Sequence, residues 1–432
     1  MYRRVSAAAR RLVARHRRAL IATGVLLTGV LLASLVACCS HGGRPAPTAA
    51  RPGPLPRSPG TIRVRLVDPT ETAAVATTGP YRILADGHVR YHAAKALPST
   101  AVRRTPSGWI LNSHGLHADE LRVETTADGA FVQVDGRPYR GSLILRAEGG
   151  ATFTVDNHVP LEHYLAGVLA CELLGGWNVE TYKALAVAAR TYAVFEMTHA
   201  GRRRGFDVYA DQRSQVYGGA ARETAKSVEA VRATLGLVLS TTPGEPHVFK
   251  AYYSSCCGGR TSPASGLEPQ EEAAAPLAGG VVCTDCGFSS RYQWDDVRID
   301  RRAAFEALGR AYPRIAALGP LRTLRVREAT AWGRPQWLDV IAVEGRSEKI
   351  RADDLRLALL RAGVSGADRI YSMACTLQDT GEALLFSNGR GFGHSVGLCQ
   401  YGAEGKARRG LAWHAILRAY YPGAHIVQMY AR

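Results

Sequence analysis

Hydrophobic and polar residues alternate with a period of two in the part of the chain that begins near residue 61. Short runs of this kind, such as TIRVRLV, GAFVQVDG and SLILRAEG, lie between residues 61 and 154 and are separated by Gly, Asp and Pro. This period puts every second side chain on one face of a strand. The pattern therefore predicts a β-rich portion of antiparallel strands over 61–156.

After Pro160 the period changes to that of helices. Helical spacing predicts helices over 160–173 and 178–197, and a third over 223–235 that ends before Gly236. The later predicted elements are strands at 237–240 and 248–253, helices near 301–310 and 351–361, strands near 322–328, 336–343 and 382–387, and a helix from about 413 to 421. This mixture predicts an α+β fold with a helical part over 157–240.

The first 39 residues predict an export segment. Seven arginines among the first eighteen residues precede an apolar run from Ala19 to Cys39. The tetrad LVAC that ends at Cys38 resembles a bacterial lipobox and favours lipidation of Cys38, and the alternative is an uncleaved membrane anchor. Both interpretations predict an extracytoplasmic, membrane-anchored protein. The Pro- and Gly-rich residues 40–60 are predicted to be a linker, and residues 61–432 the main domain.

Composition and charge narrow the possible functions. The chain is 46% apolar and 21% charged, which is typical of a globular protein. The net charge of +17 is concentrated at the N-terminus, where residues 1–57 contain ten arginines and no acidic residue. The remaining charge is modest, and no nucleotide-binding motif is present. We therefore expect no nucleic-acid partner and no organic cofactor.

Seven cysteines lie beyond the N-terminal segment. Disulfides are the default expectation for an exported protein, but the spacing Cys283-x-x-Cys286 could equally supply half of a zinc site. The spacing alone does not choose between these alternatives. The seven are Cys171, Cys256, Cys257, Cys283, Cys286, Cys375 and Cys399.

A single acid, Glu172, lies in the apolar stretch LACELLGGW. An isolated carboxyl group among apolar neighbours is either a surface residue or a group whose pKa is raised. Just downstream, Lys183 and Arg190 flank the small apolar stretch 184–189 and lie seven residues apart, on one face of the predicted helix. Two solvated cations would explain this pattern, but a small-residue face between aligned cations also suits an oxygen-rich ligand.

Two further segments carry candidate binding residues. In AYYSSCCGGRTS, Tyr252 or Tyr253 could stack on a sugar or hydrogen bond to it, and the spacing does not choose between them. The glycine-rich tail (389–410) favours tight turns against a ligand or a neighbouring strand, and it contains Gln400 as a further candidate. His394 in this tail is either a site residue or a satisfied core histidine. The motif GHSVG matches a serine nucleophile elbow, but too few residues follow it for the rest of that fold.

Four segments in order resemble the SpoIID/LytB family of peptidoglycan enzymes and amidase enhancers. They are NHVPLEHYLAGVLACELLGGWNVETYKALAVAARTYAV, QVYGG, VRATLGLVL with AYYSSCCGGRT, and NGRGFGHSVGLCQYGAEGKARRG with WHAILRAYYPG. The resemblance implies a SpoIID-like fold and lytic transglycosylation, the cleavage of MurNAc–GlcNAc bonds in peptide-stripped glycan strands to give 1,6-anhydro-MurNAc. It also implies that Glu172 is the general acid and base, and that Lys183 and Arg190 bind substrate beside it on one wall of a cleft, with the glycine-rich tail as the other.

The chain departs from that family at one loop. Some members hold zinc through His and Cys residues just before the QVYGG-like motif, but residues 202–214 contain neither. We therefore expect the family's zinc site to be absent. The alternative function is a non-catalytic module that binds peptidoglycan or an N-acetylmuramoyl-L-alanine amidase and enhances that partner. The presence of Glu172, Lys183 and Arg190 together favours the enzyme.

Overall fold

The computed structural model describes residues 60–112, 114–199, 201–267 and 274–431. The predicted export segment, Cys38 and nearly all of the predicted linker lie outside the described residues. Within the described ranges, no helix combines the length and the apolar character that crossing a membrane would need.

The described chain begins with a β-rich portion, as the alternating pattern predicts. Its strands are β1 Thr61–Thr70, β2 Thr72–Thr77, β3 Tyr81–Ala85, β4 His88–Ala93, β5 Thr100–Thr105, β6 Gly108–Leu111, β7 His114–Leu116, β8 Glu120–Thr125, β9 Val132–Val134, β10 Arg137–Tyr139, β11 Ser142–Ala147 and β12 Phe153–Pro160.

A mainly helical part follows. Its elements are α1 Leu161–Glu172, α2 Val179–Thr198, α3 Gly201–Arg204, β13 Val208–Tyr209, α4 Ala225–Ala233, β14 Leu237–Ser240 and β15 Tyr253–Ser254. The three predicted helices are confirmed to within about two residues at each end. The side chain of Asn178 caps α2 by accepting a hydrogen bond from the backbone N–H of Glu180.

The rest of the chain is α+β. Its elements are β16 Gln293–Trp294, β17 Val297–Asp300, α5 Arg301–Ala311, α6 Pro313–Ala316, β18 Leu321–Ala329, β19 Pro335–Ala342, β20 Ser347–Arg351, α7 Ala352–Arg361, β21 Thr376–Asp379, β22 Ala383–Ser387, β23 Gly389–Arg390, β24 Leu398–Cys399, α8 Gln400–Arg408, α9 Trp413–Tyr420 and β25 His425–Gln428. Short 3₁₀ turns lie at Ala220–Arg222, Ala264–Gly266, Ala275–Leu277, Thr284–Cys286 and Ala367–Arg369.

Two departures from the sequence prediction lie close to Glu172 along the fold: a strand that is mostly absent and a helix that was not predicted. The strand predicted over 248–253 is wrong for most of its length, because local bonds such as Tyr252 N–H to Lys250 C=O turn the chain there. Only Tyr253–Ser254 pairs as β15. In the glycine-rich tail the pattern gave no helix, yet α8 forms, because its glycines permit close packing against neighbouring segments. Together the strands and helices confirm the α+β class.

The strands form two large sheets and several small ones. The seven-stranded sheet has the order β13-β1-β12-β11-β8-β3-β4, and the six-stranded sheet has the order β10-β9-β2-β5-β6-β7. Strand β1 pairs antiparallel with β12 and parallel with β13. Because α1 follows β12 without a loop, the register of β12 sets the position at which α1 begins.

Two hydrophobic cores organise the described chain. The first joins the two large sheets to α1, α2, α4, α8 and α9. The second lies within 297–386 and is built from α5, α7 and the strands β17–β22. The chain therefore leaves the first core after residue 286 and returns to it with the glycine-rich tail.

The glycine-rich tail crosses the strand that carries Tyr253. Strand β24 pairs in parallel with β15, with Tyr253 opposite Leu398. Gly397 adopts a positive φ of 69°, and a Cβ there would lie 1.9 Å from the carbonyl oxygen of Tyr252. Only glycine fits this crossing, so the expectation of tight turns against a neighbouring strand is confirmed at this position.

Candidate active site

Glu172 is the last residue of α1, and its carboxyl group receives three hydrogen bonds. The backbone N–H of Val216 donates to Oε1 at 3.0 Å, and Nε2 of Gln400 donates to Oε2 at 3.0 Å. The hydroxyl of Tyr253 is the third partner. These donors come from the QVYGG segment (215–219), from α8 and from β15, so the fold brings four distant segments together at one carboxyl group.

The QVYGG segment reaches α1 because its two glycines allow a close approach. A Cβ at Gly218 would lie 2.7 Å from Sγ of Cys171, and one at Gly219 would lie 2.6 Å from the carbonyl oxygen of Pro138. A side chain at Gly218 would push the segment away from the end of α1, and one at Gly219 would overlap β10. The glycine pair therefore sets the distance between the Val216 N–H and Glu172.

Gln215 orients the tyrosine that contacts Glu172. Its Oε1 accepts a hydrogen bond from the Tyr164 hydroxyl at 3.0 Å, and its Nε2 donates to the Tyr253 hydroxyl at 3.0 Å. Because the Tyr253 oxygen accepts from Gln215, its own proton is directed to Glu172. Sequence reasoning did not single out Gln215, although it is the first residue of the QVYGG motif.

The surroundings of Glu172 change its acidity in opposing directions. Burial raises the pKa of the Glu172 carboxyl above its usual value, and the hydrogen bonds from Val216, Gln400 and Tyr253 lower that pKa only in part. A carboxylate offers about four lone-pair directions. Within the described ranges, three uncharged donors take three of these directions, which leaves one direction for a proton shared with a ligand. This arrangement suits a group that gives up and takes back a single proton.

Tyr252 and His394 lie beside this site. The Tyr252 ring contacts the rings of Tyr192 and His394, whereas the hydrogen bond to Glu172 comes from Tyr253. His394 Nδ1 accepts a hydrogen bond from the Val396 N–H at 3.0 Å, and the ring also hydrogen bonds to the backbone of Tyr253. Burial lowers the pKa of His394 to about 4. The imidazole is therefore neutral at pH 7, and its polar atoms are engaged within the fold.

The structure corrects the expected position of Arg190. Its guanidinium is fully buried and forms a bidentate ion pair with Glu162, with nitrogen–oxygen distances of 2.8 and 2.7 Å. It also donates to the carbonyl oxygens of Val231 and Leu237. Helical spacing aligned Arg190 correctly with Lys183, but that face packs against α4 and β14 at the level of Arg190. The residue cannot contact a ligand from this position.

Lys183 and the small residues between the two cations are also engaged within the protein. Lys183 Nζ pairs with Glu180 Oε1 at 2.7 Å, and the other oxygen of Glu180 accepts from the Trp413 N–H. Residues 184–189 are fully buried. The expected ligand-facing surface of small residues is therefore wrong: the stretch 184–189 is apolar on all sides because protein surrounds this part of α2.

The serine of the apparent nucleophile elbow is not arranged for catalysis. Ser395 is buried, and its Oγ accepts a hydrogen bond from Arg334 Nη1 at 2.9 Å. A serine nucleophile needs a base in contact with its hydroxyl, whereas the neighbouring His394 is bonded to Val396 and Tyr253. The geometry agrees with the rejection of a serine hydrolase from chain order.

Four buried cysteines come together close to Gln400. The Sγ atoms of Cys257, Cys283, Cys286 and Cys399 lie within 4.8 Å of one another. We call this group the cysteine cluster. The sequence indicated one half of it through the Cys283-x-x-Cys286 spacing, and the other half is separated from that motif along the chain.

The chain that forms this α+β fold, with one carboxyl group held by three converging segments, is similar in sequence to known proteins. The family profile described as stage II sporulation protein matches residues 149–240. Stage II sporulation protein D of Bacillus subtilis is 30% identical over 293 residues, which cover 64% of this chain and 76% of the relative. The chain therefore belongs to the stage II sporulation protein D (SpoIID/LytB) family, and the resemblance seen in the sequence is confirmed.

Two further relatives cover more of the chain. The amidase enhancer of Bacillus subtilis is 25% identical over 345 residues, which cover 71% of this chain but only 47% of the enhancer. An uncharacterized protein of Brachyspira hyodysenteriae is 27% identical over 371 residues, which cover 85% of this chain and 92% of the relative. The similarity thus extends well beyond the segment matched by the family profile.

The buried ion pair predicts different effects for the two cations of α2. Arg190→Ala leaves the Glu162 carboxylate buried without its partner, so we expect the free energy of unfolding to fall by about 3–5 kcal/mol. Lys183→Ala removes a partly exposed pair and is expected to cost about 1 kcal/mol or less. Urea unfolding followed by tryptophan fluorescence measures both. Equal losses in the two variants would contradict the assignment of Arg190 to the core.

The raised pKa of Glu172 predicts a pH dependence of stability. Between the unfolded value of about 4.3 and the higher folded value, the native protein holds a proton that the unfolded chain has released. Stability relative to Glu172→Gln should therefore fall as the pH rises through this window, and it should be level above it. Urea titrations of both proteins from pH 4 to 8 measure the difference, and a difference that grows with pH would refute the raised pKa.

Proposed function

We propose that this protein remodels the cell wall as a lytic transglycosylase of peptidoglycan glycan strands, with Glu172 as its catalytic acid and base. Membership of the stage II sporulation protein D family supports the process, and the geometry of Glu172 supports the chemistry. The observation that carries the proposal is a partly buried carboxyl group of raised pKa whose hydrogen-bond partners are three uncharged donors. Such a group keeps its proton to a higher pH than a solvated carboxyl does, as a general acid requires.

The proposed reaction needs one carboxyl group. Protonated Glu172 gives its proton to the glycosidic oxygen as the bond from that oxygen to C1 of MurNAc breaks. The resulting carboxylate takes the proton of the C6 hydroxyl as O6 bonds to C1, and this closes the 1,6-anhydro ring. The proton on Glu172 is restored and no water is consumed. A hydrolytic glycosidase, in contrast, usually needs a second carboxyl group.

The donors around Glu172 support both halves of this cycle. The carboxylate formed after proton transfer is stabilised by the Val216 N–H, the Gln400 amide and the Tyr253 hydroxyl, and all three are in position before the charge appears. Gln215 and His394 act through Tyr253, since the first bonds to its hydroxyl and the second to its backbone. They are therefore positioning residues in this proposal.

Arg190 and Lys183 also have positioning roles in this proposal. The buried pair of Arg190 with Glu162 joins α2 to the first turn of α1, the helix that ends at Glu172. Lys183 and Glu180 connect the first turn of α2 to the start of α9. Loss of either residue would therefore change activity by moving helices and not by removing a contact to the glycan.

A second function is favoured by one specific observation, the similarity to the amidase enhancer. In that case the same surface binds glycan or an amidase without cleaving a bond. The export and membrane tether expected from residues 1–39 would give either activity access to the wall. The two functions differ in one measurable product, the 1,6-anhydro end.

The decisive test uses the full chain in detergent, with denuded glycan strands and with intact peptidoglycan as substrates. We expect the wild type to produce 1,6-anhydro-MurNAc ends, detected by mass spectrometry, and Glu172→Gln to lose at least about 100-fold in rate because a general acid is removed. Glu229→Gln, an exposed change on α4, is the matched control and should keep full activity.

The enhancer function has its own signature in the same assay. If neither wild type nor Glu172→Gln produces anhydro ends, while both bind glycan and accelerate an added peptidoglycan amidase equally, the protein is an enhancer and Glu172 is not catalytic. If Glu229→Gln loses as much activity as Glu172→Gln, the assignment of the acid is wrong.

Tyr253 predicts a shift in the pH profile. The Tyr253 hydroxyl stabilises the Glu172 carboxylate, so Tyr253→Phe should raise the pKa of Glu172 further. The activity that needs protonated Glu172 should then persist to higher pH, and the alkaline limb of the kcat profile should move upward. Tyr252→Phe leaves the hydrogen bonds to Glu172 in place and should not move that limb. A downward shift in Tyr253→Phe would contradict the role given to the hydroxyl.

A further inference from the structure

The cysteine cluster has the composition and the size of a metal site. Its four Sγ atoms lie within 4.8 Å of one another, and all four residues are buried. Thiolates are the preferred ligands of structural zinc, which is bound tetrahedrally at about 2.3 Å from each sulfur. Such a tetrahedron separates its sulfur atoms by about 3.8 Å. The distance of 3.7 Å between Sγ of Cys257 and Sγ of Cys286 fits this separation.

The same distances disfavour other uses of these cysteines. A disulfide requires a sulfur–sulfur separation of about 2.0 Å, and in the cluster each sulfur has three others around it instead of one partner. A polynuclear iron–sulfur cluster would spread its thiolates further apart, because they bind different iron atoms. The arrangement is therefore that of a mononuclear tetrathiolate site.

The surroundings of the cluster fit bound thiolates. Sγ of Cys399 accepts hydrogen bonds from the backbone N–H groups of Cys257 and Gly402, both at 3.3 Å. Cys399 is also the N-cap of α8, where the helix dipole favours negative charge. Sγ of Cys283 lies 3.0 Å from the Tyr420 hydroxyl. Outer contacts of this kind are typical of structural metal sites.

Small residues and salt bridges bring the ligands together. A Cβ at Gly402 would lie 2.4 Å from Sγ of Cys283, so α8 can approach the Cys283-x-x-Cys286 turn only with glycine at this position. Within the same turn, Asp285 forms ion pairs with Lys406 and Arg409, each at 2.8 Å. The close packing of this turn against α8 does not depend on the cysteines alone.

We propose that the cysteine cluster binds one Zn²⁺ ion, which crosslinks the loop after β15, the Cys283-x-x-Cys286 turn and the start of α8. The four thiols lose their protons to solvent when they bind the metal. The site lies outside 202–214, the loop in which the family resemblance led us to expect zinc to be absent. It also gives Cys257 of the double cysteine a role as a ligand. Cys256 pairs through its backbone with Phe392, and its Sγ lies 4.0 Å from the carbonyl oxygen of Cys286.

The site is connected to the candidate active site through the chain. Cys399 directly precedes Gln400, which donates to Glu172, and Cys257 lies four residues after Tyr253, which also bonds to Glu172. Two of the three donors to Glu172 are thus held on segments that the metal ties together. The proposed ion has a structural role that does not rest on the proposed enzymatic function.

The test uses the full chain, purified in detergent under anaerobic conditions without added metal. We expect about one zinc per chain by plasma mass spectrometry and four sulfur neighbours at about 2.3 Å in the zinc X-ray absorption spectrum. Cys286→Ser and Cys399→Ser should lose the stoichiometric zinc. Cys375→Ser, at a buried cysteine of the second core, should keep it.

The wild-type protein provides an independent measurement if the cluster variants do not fold. Removal of zinc with a chelator should increase amide hydrogen exchange at Cys257 and Gly402, whose N–H groups bond to Sγ of Cys399, and leave β19 unchanged. Replacement by Co²⁺ should give the visible and near-ultraviolet bands of a tetrahedral tetrathiolate. Cys286→His, which can still supply a ligand atom, should retain the metal with weaker thiolate bands.

Three outcomes would overturn the proposal. Disulfides among the four cysteines in a metal-free protein, found by alkylation and peptide mapping, would refute the site. Iron at one per chain would refute the assignment of zinc. Zinc that can be removed without any change in exchange at 399–408 would refute the structural link to the helix that carries Gln400.

Discussion

The carboxyl group of Glu172 is the point at which the segments of the first core meet. It sits at the end of α1 and accepts hydrogen bonds from the QVYGG segment, from β15 and from the first residue of α8. A partly buried carboxyl group is costly unless such partners satisfy it. Three segments must therefore each place a donor at this one side chain. They are the QVYGG segment after α2, the strand β15 and the start of α8.

The elements around Glu172 are held by interactions of different strength. On one side, the fully buried pair of Arg190 and Glu162 fixes α2 against the start of α1. On the other side, the cysteine cluster gathers the segments that carry Tyr253 and Gln400. The buried pair adds little net stability, since its attraction offsets a large desolvation cost, but the loss of one partner is costly. A metal ion would add direct bonds where the local secondary structure is shortest, because β15 and β24 have only two residues each.

This arrangement also explains the residue composition of the glycine-rich tail. The tail must cross β15, turn into α8 and pack α8 against the Cys283-x-x-Cys286 turn without side chains between them. Gly397 allows the tail to cross β15, and Gly402 allows α8 to pack against the turn. A Cβ at either position would overlap a neighbouring atom. The chemistry near Glu172 therefore depends on backbone contacts of the tail as much as on its polar side chains.

The sequence alone determined many of the elements, the class of fold and the family. Periodicity fixed α1, α2 and α4 to within about two residues, because each helix has a clear apolar pattern and a defined start. Unusual local composition marked Glu172, either Tyr252 or Tyr253, and the glycine-rich tail with Gln400 as candidates. Sequence also aligned Lys183 with Arg190 on one helix face, which is a property of local geometry.

Only the tertiary structure decided which residues contact each face of the helices and strands. The spacing along α2 could not reveal that Arg190 is buried in an ion pair with Glu162, which lies 28 residues earlier in the chain. The packing partners of a helix come from outside its own sequence. The choice of Tyr253 over Tyr252 as the partner of Glu172, the role of Gln215 and the assembly of four cysteines from three segments depend on long-range contacts in the same way. Local sequence pattern determines the direction in which a side chain projects from its helix or strand. The tertiary fold determines which atoms that side chain contacts.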